Sequence, residues 1–288
     1  MKPPVFDYLA AGSLAEALEA LQTPHAKVIA GGQSLMPMLN FRLLRPSLLV
    51  DINRIAELDT LEETAGGGLR IGALTRHLAL EFSPLVRAKF PILAAAVARI
   101  GHLAIRNRGT IGGSLSHADP AAEHLLIGVL LDAVLTVRSR DRVRSVAAAE
   151  HIAGALSTTL ADDEIVTAVE LPPLAPDTGW AFEEVARRSG DFALAAVAVL
   201  IRCSGGRVVE ARIAVSGGAG GPQRVAAAEA ALHGGRCDPA ALAAATDAVR
   251  ASVEPNSDLH ASPELRHRIL GALLGRACTL AWNRAARA

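Results

Sequence analysis

The sequence predicts an α+β protein, and three observations carry that reading. In the last third, strand-like stretches over 193–203 and 208–216 precede three helical stretches, the strands-then-helices order of α+β folds. Residues 1–55 alternate short strand and helix patterns, as a small α/β unit does. Pro172, Pro173, Pro176 and Gly179 mark a linker that sets the last third apart. The units expected are 1–55, 56–174 and 178–288, in keeping with two or three compact bodies for a 288-residue chain.

Ser13 and Glu16 form a capping-box pattern, in which hydroxyl and carboxylate satisfy amides that the first helical turn leaves open. Leu14, Ala17, Leu18 and Leu21 then recur at helical spacing. Next come a short buried strand over 27–30, a turn at 31–34, a short helix over 35–43 and a strand over 47–52. In the second unit, 58–64 and 69–72 read as a hairpin turning at Gly66, Gly67 and Gly68. Helices are predicted over 75–81 and 85–100. Pro91 kinks or splits the longer one, because proline lacks an N–H and its ring crowds the preceding turn. A helix over 120–132 is expected to start with Asp119 as N-cap and Pro120 in its first position. Strands over 133–139 and 165–171 end this unit. In the third, the two strands turn at Ser204, Gly205 and Gly206, and helices run over 222–233, 239–252 and 263–281. The glycines at 217, 218, 220 and 221 stand before Pro222 and read as a strand-to-helix turn rather than a phosphate loop.

Composition narrows the function. Apolar residues are 51% of the chain, enough for a sizeable core. Lys+Arg and Asp+Glu both number 29, so there is no basic footprint for nucleic acid. No run of about twenty apolar residues is free of charge, so no membrane span is expected. The opening Met1, Lys2, Pro3, Pro4 lacks the apolar core of a secretory signal, which points to a cytoplasmic protein. Cys203, Cys237 and Cys278 are far apart and include no CxxC, so neither a disulfide framework nor an iron–sulfur or zinc site is expected.

Two glycine segments carry the chemistry. Each is expected to follow an apolar, strand-like stretch: "AGGQSL" begins at Ala30, and "TIGGS" at Thr110. Glycine lets a ligand approach the backbone without a Cβ in the way. Successive N–H groups in such turns can converge on an anion, and Ser34 and Ser114 add hydroxyls. A pyrophosphate would suit them. Neither segment is a G-x-G-x-x-G or a Walker loop, so from spacing alone a pair of tight turns serves equally well. His117, Asp119, Glu123 and His124 could suggest a metal site. Glu123 and His124 are neighbours on a helix, however, and point in different directions. A Ser–His–Asp arrangement stays open, without a G-x-S-x-G elbow to support it. Arg106 and Arg108 are either phosphate or partner contacts or plain structural charges, as are Arg187 and Arg188, and His77 is read as a surface or capping residue.

In order along the chain, "AKVIAGGQSLMPMLNFRLLRPSLLVDINRI", "LRIGALTRH", "IRNRGTIGGSLSHADPAAE" and "ARRSGDFALAAVAV" resemble the FAD-binding medium subunit of the molybdenum hydroxylases, over nearly the whole chain. That family includes the medium subunits of carbon monoxide dehydrogenases and the flavin portion of xanthine dehydrogenases. The resemblance implies a two-subdomain FAD-binding unit of the vanillyl-alcohol-oxidase-like type followed by an α+β C-terminal domain. It implies FAD wrapped by Val28, Ile29, Ala30, Gly31, Gly32, Gln33, Ser34 and Leu35, with Lys27 near the adenosine end. The second grip is Thr110, Ile111, Gly112, Gly113 and Ser114, and Glu123 matches an acidic position facing the cofactor. Ile165 is expected near the adenine and Phe192 beside the flavin ring. In some relatives a lysine follows the phenylalanine that here is Phe182; this chain has Glu183 and Glu184 instead, so that contact is not carried over.

The same resemblance implies partners: a large subunit with the molybdenum cofactor and a small subunit with two [2Fe–2S] clusters, in a heterotrimer that can itself pair. Electrons would pass from the clusters to FAD and on to NAD⁺, a quinone or oxygen, and no catalytic base is expected on this chain. A free-standing FAD-dependent reductase or oxidase is the alternative. A scaffold that has lost its cofactor is opposed by the intact glycine segments.

Overall fold

The computed structural model describes residues 2–286. The first unit runs β1 (Asp7–Ala10), α1 (Leu14–Ala20), β2 (Lys27–Ile29), α2 (Leu35–Asn40) and β3 (Leu48–Asp51). Its strands form a parallel sheet in the order β1-β3-β2. Parallel neighbours need a crossover between them, and the two short helices supply it. Ser13 Oγ caps α1 by accepting from Glu16 N, as expected. Glu16 Oε2 accepts from Gly12 N at 2.7 Å rather than from the Ser13 amide, so the capping box closes one residue early.

The second unit contains β4 (Leu61–Glu63), β5 (Leu69–Gly72), α3 (His77–Phe82), α4 (Pro84–Lys89), α5 (Pro91–Val97), α6 (Leu103–Arg108), α7 (Ile111–His117) and α8 (Glu123–Leu130). It continues through β6 (Val134–Arg138), β7 (Val143–Ala147), α9 (Ala148–His151), β8 (Ile152–Gly154), β9 (Ser157–Thr158) and β10 (Ile165–Leu171). The main sheet is antiparallel, in the order β4-β5-β10-β6-β7. Pro91 does split the long helix: α4 ends at Lys89 and α5 starts on the proline.

Two expectations are corrected here, and further elements are added. The second glycine segment does not follow a strand. It opens α7, with Thr110 as N-cap. The helix expected over 120–132 begins only at Glu123; Asp119 instead accepts from Ala121 N at 2.9 Å and closes a turn ahead of it. Helix α6, strand β7 and the small β8–β9 pair are additions the pattern did not show.

The last unit has β11 (Gly179–Ala186), β12 (Ala193–Ser204), β13 (Arg207–Ser216), β14 (Gln223–Arg224), α10 (Ala226–Leu232), α11 (Pro239–Ser252) and α12 (Pro263–Ala285), with an antiparallel sheet in that strand order. β14 sits where the helix over 222–233 was expected to begin. The unbroken apolar run of β12 has a simple cause: both faces are covered. Ala195, Val197, Val199 and Ile201 pack with the C-terminal helices, while Ala196, Ala198 and Leu200 join the core of the second unit. The third core, around Leu14, Leu18 and Val50, takes in Leu74 and Ile165 from the second unit, so the first two units share apolar contact. No helix among the described residues is long and apolar enough to cross a membrane.

Candidate functional site

The two glycine segments meet. The first leaves the carboxyl end of β2, where open parallel sheets place ligands. Gly32 adopts φ +72°, a left-handed conformation that a side chain disfavours. The Gln33 amide folds back, Nε2 donating to Gly31 O at 3.1 Å. The second segment is held by a short backbone ladder from 73–77. Gly112 N donates to Ala73 O at 2.9 Å, Ile111 N to Thr75 O at 3.1 Å, and His77 N to Gly109 O at 3.0 Å. Gly31 lies flat against the Arg108 carbonyl, and Gly112 against Ala73, with no room for a Cβ at either.

The segments are not equivalent. In the second, Gly113 N donates to Thr110 Oγ1 at 3.1 Å and Ser114 N to Thr110 O at 3.0 Å, so with the ladder the amides of Ile111, Gly112, Gly113 and Ser114 are used up internally. What it offers a ligand is hydroxyls and bare glycine surface. In the first, the amides of Gly32, Gln33 and Ser34 have no protein acceptor among the described residues. Consecutive open N–H groups that could converge on an anion are therefore those of the first segment.

Between the segments opens a cavity of about 580 Å³, within the range of cofactor sites. Every residue expected to hold FAD lines it except Ile29 and Ile111. Ile29 packs beside Gly32 on the strand, and Ile111 is buried in the second unit's core, so both support the walls from behind. Ile165 is buried at the cavity wall, whereas Phe192 is 73% exposed at its rim beside Gly190 and Asp191. Lys27 Nζ pairs with Asp162 Oδ1 at 2.8 Å, and both line the cavity, so this ion pair joins the first unit to the second at the mouth. Burial pushes the Glu123 carboxyl up to about 8, with the nearby charges of Glu184 and Asp119 adding to the effect, so at neutral pH it presents a protonated carboxyl to the cavity.

Several neighbours are placed otherwise than the sequence suggested. His77 is not at the surface: it is 5% exposed, lines the cavity, and its ring packs against that of His124 at a tilt of 34°, with centroids 4.7 Å apart. Burial lowers the His77 pKa to about 4, so the imidazole is neutral. Arg106 is structural: Nε pairs with Glu81 Oε2 at 2.8 Å and Nη1 donates to the carbonyls of Ile100 and Gly101. Arg187 meets the His260 ring at 3.1 Å. Glu183 pairs with Arg276 of α12 at 2.8 Å. His117, Asp119 and Glu123 line the cavity, but His124 turns away to His77. Among the described residues no group of three or more His, Cys, Asp or Glu side chains is placed to hold a metal ion.

Two residues that sequence reasoning missed organise the site. Asn53, just beyond β3, donates from Nδ2 to Ala30 O at 2.8 Å. Arg76 donates from Nη2 to Asn53 Oδ1 at 2.6 Å and from Nη1 to Arg108 O at 2.5 Å. The only sequence signal was position: Asn53 follows the strand-end Asp51, and Arg76 lies inside the "LRIGALTRH" block.

The residues present suit a dinucleotide with a pyrophosphate. Open amides and Ser34 line the cavity on one side, Cβ-free glycine and Ser114 on the other. A family model described as the FAD binding domain in molybdopterin dehydrogenase matches residues 4–174. A second, described as the CO dehydrogenase flavoprotein C-terminal domain, matches residues 180–281. The nicotine 6-hydroxylase medium subunit of Paenarthrobacter nicotinovorans is 40% identical over 277 residues, covering 96% of this chain and 97% of that one. The carbon monoxide dehydrogenase medium chain of Hydrogenophaga pseudoflava is 37% identical over 288 residues, covering 99% of this chain and 100% of that one. The solved structure of quinoline 2-oxidoreductase from Pseudomonas putida 86 superposes with a TM-score of 0.95 at 39% identity, covering 99% of both chains.

Proposed function

Since the chain belongs to the family of FAD-binding subunits of molybdenum hydroxylases, and is thus an oxidoreductase subunit with FAD as its cofactor, we propose that it carries electrons between an iron–sulfur partner and a final acceptor. Electrons reach it from [2Fe–2S] clusters on a small partner chain and leave to NAD⁺, a quinone or oxygen. Substrate oxidation belongs to a large partner chain with the molybdenum cofactor. Three thiols left free suit a reducing, cytoplasmic setting.

The observation that carries this reading is the contact of the two glycine segments over one cavity whose first wall has three amides without acceptors among the described residues. When bound, FAD supplies the step between one-electron and two-electron chemistry. The chain's own residues do the rest. The Gly32, Gln33 and Ser34 amides hold the pyrophosphate. Ile165 and the neighbouring apolar wall exclude water from the adenine. Glu123, protonated, donates a hydrogen bond to a cofactor hydroxyl without adding negative charge beside the phosphates. Phe192 covers the flavin ring at the exposed rim.

The test is the absorption spectrum and FAD content of the chain purified with its partner subunits. One FAD per chain, reduced by the substrate of the large subunit only when the small subunit is present, is the expected result. A chain that purifies alone and turns over a substrate with its own flavin would overturn the assignment as an electron-transfer subunit.

A further inference from the structure

We propose that Arg76 is a positioning residue for the cofactor: its guanidinium, held between Asn53 and the Arg108 carbonyl, sets the gap between the two glycine segments. The proposal rests on reading the cavity as the FAD site. Arg76 itself does not line that cavity, so it acts through the residues it holds.

The geometry is a continuous chain of hydrogen bonds across the boundary of the two units. On the first unit, Tyr8 Oη donates to Asp51 Oδ2 at 2.6 Å, and Asp51 Oδ1 accepts from both Asn53 N at 2.8 Å and Asn53 Nδ2 at 2.6 Å. This fixes the Asn53 amide so that Nδ2 also reaches Ala30 O and Oδ1 faces Arg76. On the second unit, Arg76 reaches the carbonyl of Arg108. Ala30 is the residue before Gly31, and Arg108 the residue before Gly109 and Thr110. The chain therefore ends at the base of each glycine segment.

Two opposed restraints act on the same oxygen. Arg76 ties the Arg108 carbonyl to Asn53 of the first unit, while Gly31 blocks it from coming closer. A tether and a stop on one atom define a distance. The planar fork of a guanidinium can serve two acceptors at once in fixed geometry, which a lysine ammonium does less well. The ion pairs between these units, Lys27–Asp162 and Arg140–Glu19, are exposed and away from the base of the segments. Arg76 is half-buried, and its bond to Asn53, which crosses the boundary, is part-buried, where it competes less with water.

The test measures FAD dissociation from the full chain, assembled with its partners, by recovery of flavin fluorescence. Arg76→Ala is expected to raise the dissociation rate about tenfold or more, with the melting temperature of the flavin-free protein little changed. Arg76→Lys should recover only part of the loss. Millimolar guanidinium should slow release from Arg76→Ala, and methylammonium should not. A wild-type rate in Arg76→Ala, or a raised rate that guanidinium leaves unaltered and that accompanies a large drop in melting temperature, overturns the proposal. If Arg76→Ala does not accumulate, Arg76→Lys decides: an unaltered rate overturns it. Gly31→Val separates the two readings. Should it keep its full FAD content, the cavity is not the cofactor site; should it lose FAD while Arg76→Ala retains it, the site stands and the role of Arg76 falls.

Discussion

The Cα of Gly31 packs against the main-chain carbonyl of Arg108, so closely that a methyl group at residue 31 would overlap the oxygen. Neither partner can yield by turning a side chain, since both are backbone. Gly31→Ala must therefore push the two glycine segments apart. Overpacking of this kind costs ~1–3 kcal/mol, and if that strain falls on the closed site, FAD binds about ten- to hundredfold more weakly. Gly66→Ala is the control: nothing lies within 4 Å of its Cβ position. FAD titration of both variants decides the matter, and equal affinities would contradict the steric account.

How much of this was legible beforehand differs between the two segments. The first announced itself, because apolar Val28 and Ile29 end in two glycines and a strand followed by a turn is a local pattern. The second did not. Gly112 and Gly113 are poor helix formers, so the sequence argues for a loop, yet α7 forms. What overrides propensity is tertiary: the Thr110 cap and the ladder from Ala73 and Thr75 satisfy amides that would otherwise favour a turn. Arg76 and Asn53 were invisible for the same reason. Their partners are 23 and 32 residues away, and no spacing rule links them. By contrast, β10 and α11 have the bounds their patterns predicted, since a short apolar run, buried at every position but Glu170, and the Asp238 cap are local signals.

Salt should loosen the cofactor through the Lys27–Asp162 pair. Its side chains are 43% and 91% exposed, so the pair is screened by ions and is worth well under ~1 kcal/mol. If it latches the mouth of the cavity, rising salt accelerates FAD release by at most a few-fold. Asp162→Asn should release FAD at the high-salt rate already at low salt and show a flatter salt dependence. Parallel salt curves for the two proteins would show that the pair does not restrain the cofactor.

Glu123 gives the cofactor site a pH dependence of defined sign. In the native chain its carboxyl keeps its proton up to about 8, while the unfolded group ionises near 4.5. Between these values the native state binds more protons, so its stability falls as pH rises from 4.5 to about 8 and levels off above. FAD affinity should fall over the upper part of the same window, because the carboxylate then faces the phosphates as well as Glu184 and Asp119. Glu123→Gln keeps a hydrogen-bond donor and removes the charge, so its affinity should stay flat to higher pH. Stopped-flow FAD binding across the alkaline range is the measurement, and a wild-type profile as flat as the variant's would refute the assignment.

The packed histidines set the opposite dependence on the acid side. His77 and His124 are buried, and both nitrogens of His124 lack a hydrogen-bond partner among the described residues. Burial lowers both pKa values, that of His77 to about 4, with the charges of Arg76 and Arg106 adding to the effect at His77. A native imidazole that stays neutral while the unfolded one takes a proton below 6.5 makes the unfolded state bind more protons. Stability is therefore complete above 6.5 and is lost as pH falls toward about 4, with His77 contributing a slope of up to ~1.4 kcal/mol per pH unit. His124 adds to this in the same direction, because its ring has no partner that could hold the added charge. His124→Phe preserves a flat ring against His77 and cannot be protonated, so it should lose less stability on acidification while matching wild type at neutral pH or slightly exceeding it. Urea denaturation of both proteins across this range tests it. Midpoints that fall in parallel would mean that the acid sensitivity arises elsewhere in the chain; Glu164 is not that source, because its ion pairs with Arg144 and Arg142 hold it down to about 2 and its contribution is lost only below 4.5.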